Sequence, residues 1–168
     1  MKIKFILIIF LSLCAYSFEN KNEAQKILMP FKKELMKTLK TSFKNGGVAG
    51  AVDKCHVEAP KIAVKHSSKS YEIGRTSKKY RNPNNKPEKW MEGVLSDYEK
   101  SKSKEGRIVD QDGVNYYVEP IYVKGLCLNC HGNLSERTQK LISSKYPEDK
   151  AYGYKINDFR GVFWLKSK

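Results

Sequence analysis

Residues 106–123 read GRIVDQDGVNYYVEPIYV, and this stretch decides the fold class. Arg107–Asp110 and Val114–Val118 are rich in β-branched and aromatic residues, and Asp112-Gly113 between them is a strong two-residue turn. The spacing predicts an antiparallel hairpin, with Pro120 marking an edge position or a break after it. Upstream, Trp90, Val94, Leu95 and Tyr98 share one face of a helix from Pro87 to about Ser101. Residues 66–86 are polar and turn-rich, closing on RNPNNKP. Further back, Ile27, Leu28, Phe31, Leu35, Leu39 and Phe43 make an apolar stripe on a helix over 22–44, with Pro30 near its regular start or kinking it. Gly46-Gly47 ends that helix, and a second is expected from Val48 to about Ala59, stopped or bent at Pro60. Downstream, residues 135–145 read as a helix and Gly161–Leu165 as a final strand. Helices first, then hairpin and mixed elements, predict a single α+β domain with an antiparallel sheet and N-terminal helices.

Composition agrees with one domain. The chain has 168 residues, 40% of them hydrophobic and 30% charged, which is neither low-complexity nor disordered. Four cysteines are too few for a disulfide-built miniprotein of this length. Residues 1–17, MKIKFILIIFLSLCAYS, combine a positive start at Lys2 and Lys4 with an apolar run and small residues at Ala15 and Ser17. That is the organisation of a secretory signal peptide cleaved after Ser17, leaving a domain at 18–168. The apolar run falls short of the ~20 residues that span a bilayer. Lipoprotein processing at Cys14 is the weaker reading, because Leu13 suits that cleavage poorly. Removal takes two of the 32 basic residues and none of the 18 acids, so the net charge drops from +14 to +12. No other apolar run is long enough to span a membrane. The expectation is a periplasmic protein without stable membrane insertion.

Three cysteines then remain, and an odd number in an exported chain needs a reason. Cys127-Leu-Asn-Cys130-His131 supplies most of it, being the c-type haem attachment pattern. Two thiols one helical turn apart reach the two vinyl groups of one porphyrin edge, and the following His coordinates the iron from below. A bare C-x-x-C also suits a redox dithiol or half of a zinc site. Zinc needs about four ligands, and Cys55-His56 is the only other pair. A thioredoxin-like dithiol needs a βαβ context that is absent. One motif implies one covalent haem c.

Cys55 is the thiol left over. Ala51, Cys55 and Ala59 share a helical face of small side chains, which lets a flat macrocycle approach the backbone and aims the sulfur at the open side of the iron. The plain alternative is a buried, inert cysteine at a helix crossing. His56 is the next candidate, rotated about 100° from Cys55 so that both cannot face the iron. His66, Met36 and Met91 complete the list of sixth-ligand candidates, and spacing alone leaves the choice open. Arg75, Arg81, Asn82 and Arg160 are candidates for hydrogen bonds to haem propionates, where charge assistance is favourable; otherwise they cap turns or are solvated.

The succession Cys55-x-x-x-Ala59-Pro60, Gly74-Arg-Thr-Ser77 and Arg81-Asn-Pro-x-Asn85-x-Pro87-x-x-Trp90 resembles the secreted haem-binding domain with a PAS-like fold. That domain occurs alone and as the sensor part of bacterial histidine kinases. Pro120-Ile, Cys127-Leu-x-Cys-His-Gly132, Tyr146-Pro-x-Asp149, Gly153-Tyr and Asp158-x-Arg160-Gly161 continue the similarity along nearly the whole chain. Met91 departs from it where an acid commonly follows the Trp, and Asn157 where a Gly is usual. The resemblance implies one covalent haem between helices and a PAS-like sheet, with Cys55 as the axial ligand opposite His131.

Three functions follow from different classes. A periplasmic monohaem cytochrome would pass single electrons to a redox partner, which the basic surface suits if that partner is acidic. A redox or gas sensor (NO or CO) would exploit a displaceable Cys ligand and act through a separate partner. A peroxidase needs acid–base groups on an open distal side, where His56 alone is near, so no enzyme activity is expected beyond a weak one. Charge alone would suggest nucleic acid, but export argues against it.

Overall fold

The structure, a computed structural model, describes Phe18 and residues 20–168. The leader at 1–17, with Cys14, lies outside the described residues.

Helix α1 (Lys21–His66) opens on Asn20, whose side chain accepts from the Glu23 amide at 3.1 Å, an N-cap that satisfies one orphan donor of the first turn. It is two arms joined at Gly46 and Gly47. Gly47 has φ +56°, a conformation that costs glycine little, so the helix breaks where the glycine pair predicts. The second arm differs from expectation by running through Pro60 to His66. The carbonyl that Pro60 cannot serve belongs to His56; both residues are exposed, so the gap in the hydrogen-bond ladder falls on the solvent side of the helix. Ile62, 5% exposed, anchors the continuation in the core.

Four strands follow: β1 (Tyr71–Thr76), β2 (Arg107–Gln111), β3 (Val114–Tyr122) and β4 (Phe159–Ser167). They form one antiparallel sheet in the order β1-β4-β3-β2. Asp112 (φ +54°) and Gly113 (φ +81°) make the β2–β3 turn with both central residues left-handed, as a type I′ hairpin requires. Pro120 lies past the last β2 partner of β3, Val118 opposite Arg107, so there β3 has a neighbour on one side only. Strand β1 arises within the stretch that reads as turns. It has few apolar residues, but Ile73 pairs opposite Leu165 and both are buried. Gly74 admits the Trp164 ring, which would stand 2.2 Å from any Cβ there.

The sheet is covered on both faces. Leu28, Phe31 and Ile62 of α1 pack on Ile73, Tyr117 and Leu165. Helix α2 (Met91–Ser101), starting later than Pro87, packs Met91, Val94, Leu95 and Tyr98 on Tyr116, Val118 and Val162 of the other face. Two short helices, α3 (Leu128–His131) and α4 (Glu136–Lys145), complete the α+β architecture. Among the described residues no helix is long and apolar enough to cross a membrane.

Burial pushes the phenols of Tyr98 and Tyr117 up from 10 to about 12. The neutral form is favoured in the folded state, so this stabilisation is complete below pH 10 and is lost as pH rises towards 12. Guanidinium midpoints should therefore fall across that window, with a set of phenols ionising only as near-ultraviolet dichroism collapses. Smooth ionisation of all tyrosines near pH 10 in a still-folded protein would contradict it.

Candidate haem-attachment site

The chain enters the site through a 3₁₀ turn, Gly125–Cys127, that runs directly into α3. Cys127 and Cys130 therefore lie one turn apart and His131 closes the helix. Gly132 follows, donating to the Leu128 carbonyl at 2.9 Å. All three described cysteines are free thiols, half-buried. Among the described residues no three His, Cys, Asp or Glu side chains group to hold a metal ion.

The His131 ring is held from behind. Its Nδ1 lies 2.6 Å from the Ala151 carbonyl; a carbonyl only accepts, so Nδ1 carries the proton and Nε2 is left as a bare donor pair. Burial, then the charges of Arg160, Arg81 and Arg75, hold its pKa well below the usual histidine range, so the imidazole is neutral as a metal ligand must be. The Tyr154 ring stands edge-on to it at 6.3 Å.

Arg81 ties this scaffold together. Its Nε and a terminal nitrogen make a bidentate pair with Asp149 at 3.2 and 3.1 Å, and the same terminal nitrogen donates to the Cys130 and Ala151 carbonyls. Asp149 also accepts from the Ala151 amide at 2.9 Å. The carbonyl that orients His131 is thus itself positioned by an ion pair.

Arg75 and Arg160 have no such partner. The Arg75 guanidinium makes no hydrogen bond or salt bridge among the described residues, and burial lowers its pKa, with Cys55 and Tyr146 opposing. Arg160 donates to the Lys79 carbonyl at 3.0 Å and stacks over Tyr154; burial brings it down to about 10. Arg75, Arg81 and Arg160 lie close together and Asp149 pairs with Arg81, which leaves the charges of Arg75 and Arg160 without a salt bridge among the described residues. A half-buried positive excess of this size suits a dianionic group.

Cys55 joins this cluster from the second arm of α1. Its thiol is pushed up by burial and drawn down by Arg75 and Arg81, and it raises Cys130 in turn. Ala51 and Ala59 flank it on the same face, 1% and 9% exposed. His56 turns away: it is exposed and meets the edge of Tyr146 at 4.9 Å. Asn82 caps the turn at Pro83–Asn85 by accepting from the Asn84 amide at 3.0 Å. The other sixth-ligand candidates lie elsewhere, with His66 against Glu34 at 2.7 Å, Met36 41% exposed, and Met91 buried under the opposite sheet face. Sequence reasoning gave no role to Asp149, Tyr146, Tyr154 or the Ala151 carbonyl; the motifs Tyr146-Pro-x-Asp149 and Gly153-Tyr were the available hints to the three side chains.

The model of a protein family described as Tll0287-like matches residues 16–167. Among solved structures, the cyanobacterial heme-protein Tll0287 superposes with a TM-score of 0.62 at 23% identity, over 87% of this chain and 94% of its own. That likeness establishes the PAS-like fold. No curated protein matches the chain.

Proposed function

The chain belongs to the Tll0287-like family, and from that premise we propose that it carries one covalent haem c and passes single electrons in the periplasm, to which residues 1–17 direct it. The observation that carries this reading is the His131 ring, fixed by the Ala151 carbonyl with Nε2 bare, on the same helical turn as Cys127 and Cys130. The similar cyanobacterial protein is itself a heme-protein, which supports it.

Cys127 and Cys130 would hold the porphyrin through thioethers, and His131 Nε2 and Cys55 would be the side chains that ligate its iron. When bound, the group supplies one-electron chemistry. The chain's own part is to orient and to shield. Ala51 and Ala59 leave room beside Cys55 for a flat ring. Arg75 and Arg160 supply the charge that two propionates need, while Arg81 is engaged by Asp149 and Asn82 by its turn. A second reading, a redox or gas sensor, rests on Cys55 being carried by an arm of α1 that is joined through Gly47.

Protein made alongside a haem-attachment system should keep one haem per chain through acid–acetone extraction, and Cys127→Ala with Cys130→Ala should release it. Haem that extracts freely from the parent protein would overturn the reading. Carbon monoxide separates the two functions: an inert ferrous form fits electron transfer, and rapid stoichiometric binding fits sensing.

A further inference from the structure

The segment after Asp149 is fixed on its inner side. Besides the Ala151 carbonyl on His131, the Gly153 and Tyr154 amides donate to the Gly132 and His131 carbonyls at 2.9 Å, and the Asn157 amide to the Val123 carbonyl at 2.9 Å. Its outer side has no role in the account above. Tyr152 and Ile156 stand there, each 50% exposed. Lys79 Nζ lies 5.9 Å from the Tyr152 ring and 4.6 Å from that of Tyr154, and donates to the Tyr152 carbonyl at 2.6 Å. Lys155 belongs to the loop itself, Lys150 precedes it with its Nζ 4.8 Å from the Tyr80 ring, and Lys124 follows the Val123 anchor; all are exposed. Of the acids flanking the loop, Asp149 is paired with Arg81 at 6% exposure, while Asp158, half-buried, accepts from the Lys155 amide at 2.7 Å and keeps its charge. Glu148, two residues before Lys150, is exposed.

We propose, on the reading that His131 holds a haem, that the Ala151–Asn157 loop is the docking face for an acidic one-electron carrier protein. Tyr152 and Ile156 form its apolar centre, and Lys79, Lys124, Lys150 and Lys155 its rim. A small apolar centre inside a charged rim gives the fast, weak encounter that electron exchange uses, since rim charges act on association rate more than on affinity. The position fits: Tyr152 is adjacent to the carbonyl that holds His131, and Lys124 donates its amide to the Cys127 sulfur at 3.4 Å. One electron crosses, the carrier being oxidised by one and the bound group reduced by one, with no bond made or broken. The lysines of the first α1 arm, Lys33, Lys37 and Lys40, are a competing basic surface with no such link to His131.

Carbodiimide cross-linking of the exported protein to an acidic flavodoxin, mapped by mass spectrometry, tests this. Cross-links should concentrate on Lys79, Lys124, Lys150 and Lys155. The double variant Lys79→Glu, Lys155→Glu should lower both cross-link yield and the low-salt reduction rate by the flavodoxin about tenfold, with dithionite reduction unchanged. Lys37→Glu with Lys40→Glu should change neither by more than about twofold. Cross-links centred on α1, or equal effects of the two double variants, would overturn the docking face. Cross-linking reads docking whether or not haem is attached, so absence of haem overturns the proposed function alone.

Discussion

Asp149→Asn should destabilise the protein by about 3–5 kcal/mol, which is what removing one partner of a buried ion pair costs. The pair qualifies as buried, with side chains 12% and 6% exposed. With Asn in place, Arg81 keeps the Cys130 and Ala151 carbonyls and at most one side-chain oxygen at position 149, but its charge sits uncompensated beside Arg75 and Arg160. Against a total stability of about 5–15 kcal/mol for a domain of this kind, the midpoint of guanidinium unfolding should fall steeply. The double variant Arg81→Met, Asp149→Leu removes both charges and should recover much of the loss, since apolar replacement of a buried pair is often neutral. A single variant costing under about 1 kcal/mol would show that the pair is solvated and does not brace the site.

Legibility of the sequence followed the range of the interactions involved. The β2–β3 hairpin was readable because Asp112-Gly113 sets its own backbone, and the break in α1 because Gly47 requires a left-handed φ. The motif at Cys127–His131 was readable because attachment chemistry fixes its spacing. Strand β1 was not, since only Tyr71 and Ile73 are apolar in Tyr71–Thr76 and the pairing with β4 spans most of the chain. Helix α1 passing Pro60 was hidden for a similar reason: burial of Ile62 outweighs a proline on the exposed side of the helix. The site's inner support was least visible. Arg81 and Asp149 are 68 residues apart, and a backbone carbonyl such as that of Ala151 has no signature in residue identity at all.

Cys55→Ala should have the larger consequence for function. On the reading given above, the anionic sulfur stabilises the ferric over the ferrous state, so its loss should raise the midpoint potential. Axial ligands command a range of roughly 0.8 V, and the expected rise is on the order of 0.1–0.3 V, with a changed charge-transfer spectrum and ferrous carbon monoxide binding where the parent is inert. The fold should tolerate the change, because Ala51 and Ala59 already line the same face and the thiol makes no hydrogen bond among the described residues. An unchanged thermal midpoint with a shifted potential therefore separates ligation from packing. His56→Ala is the informative control. Its imidazole is exposed against Tyr146, so its removal should leave spectrum and potential in place. If instead His56→Ala moves the potential and Cys55→Ala does not, the second axial ligand is the histidine, and the small-residue face of α1 only makes room for the ring.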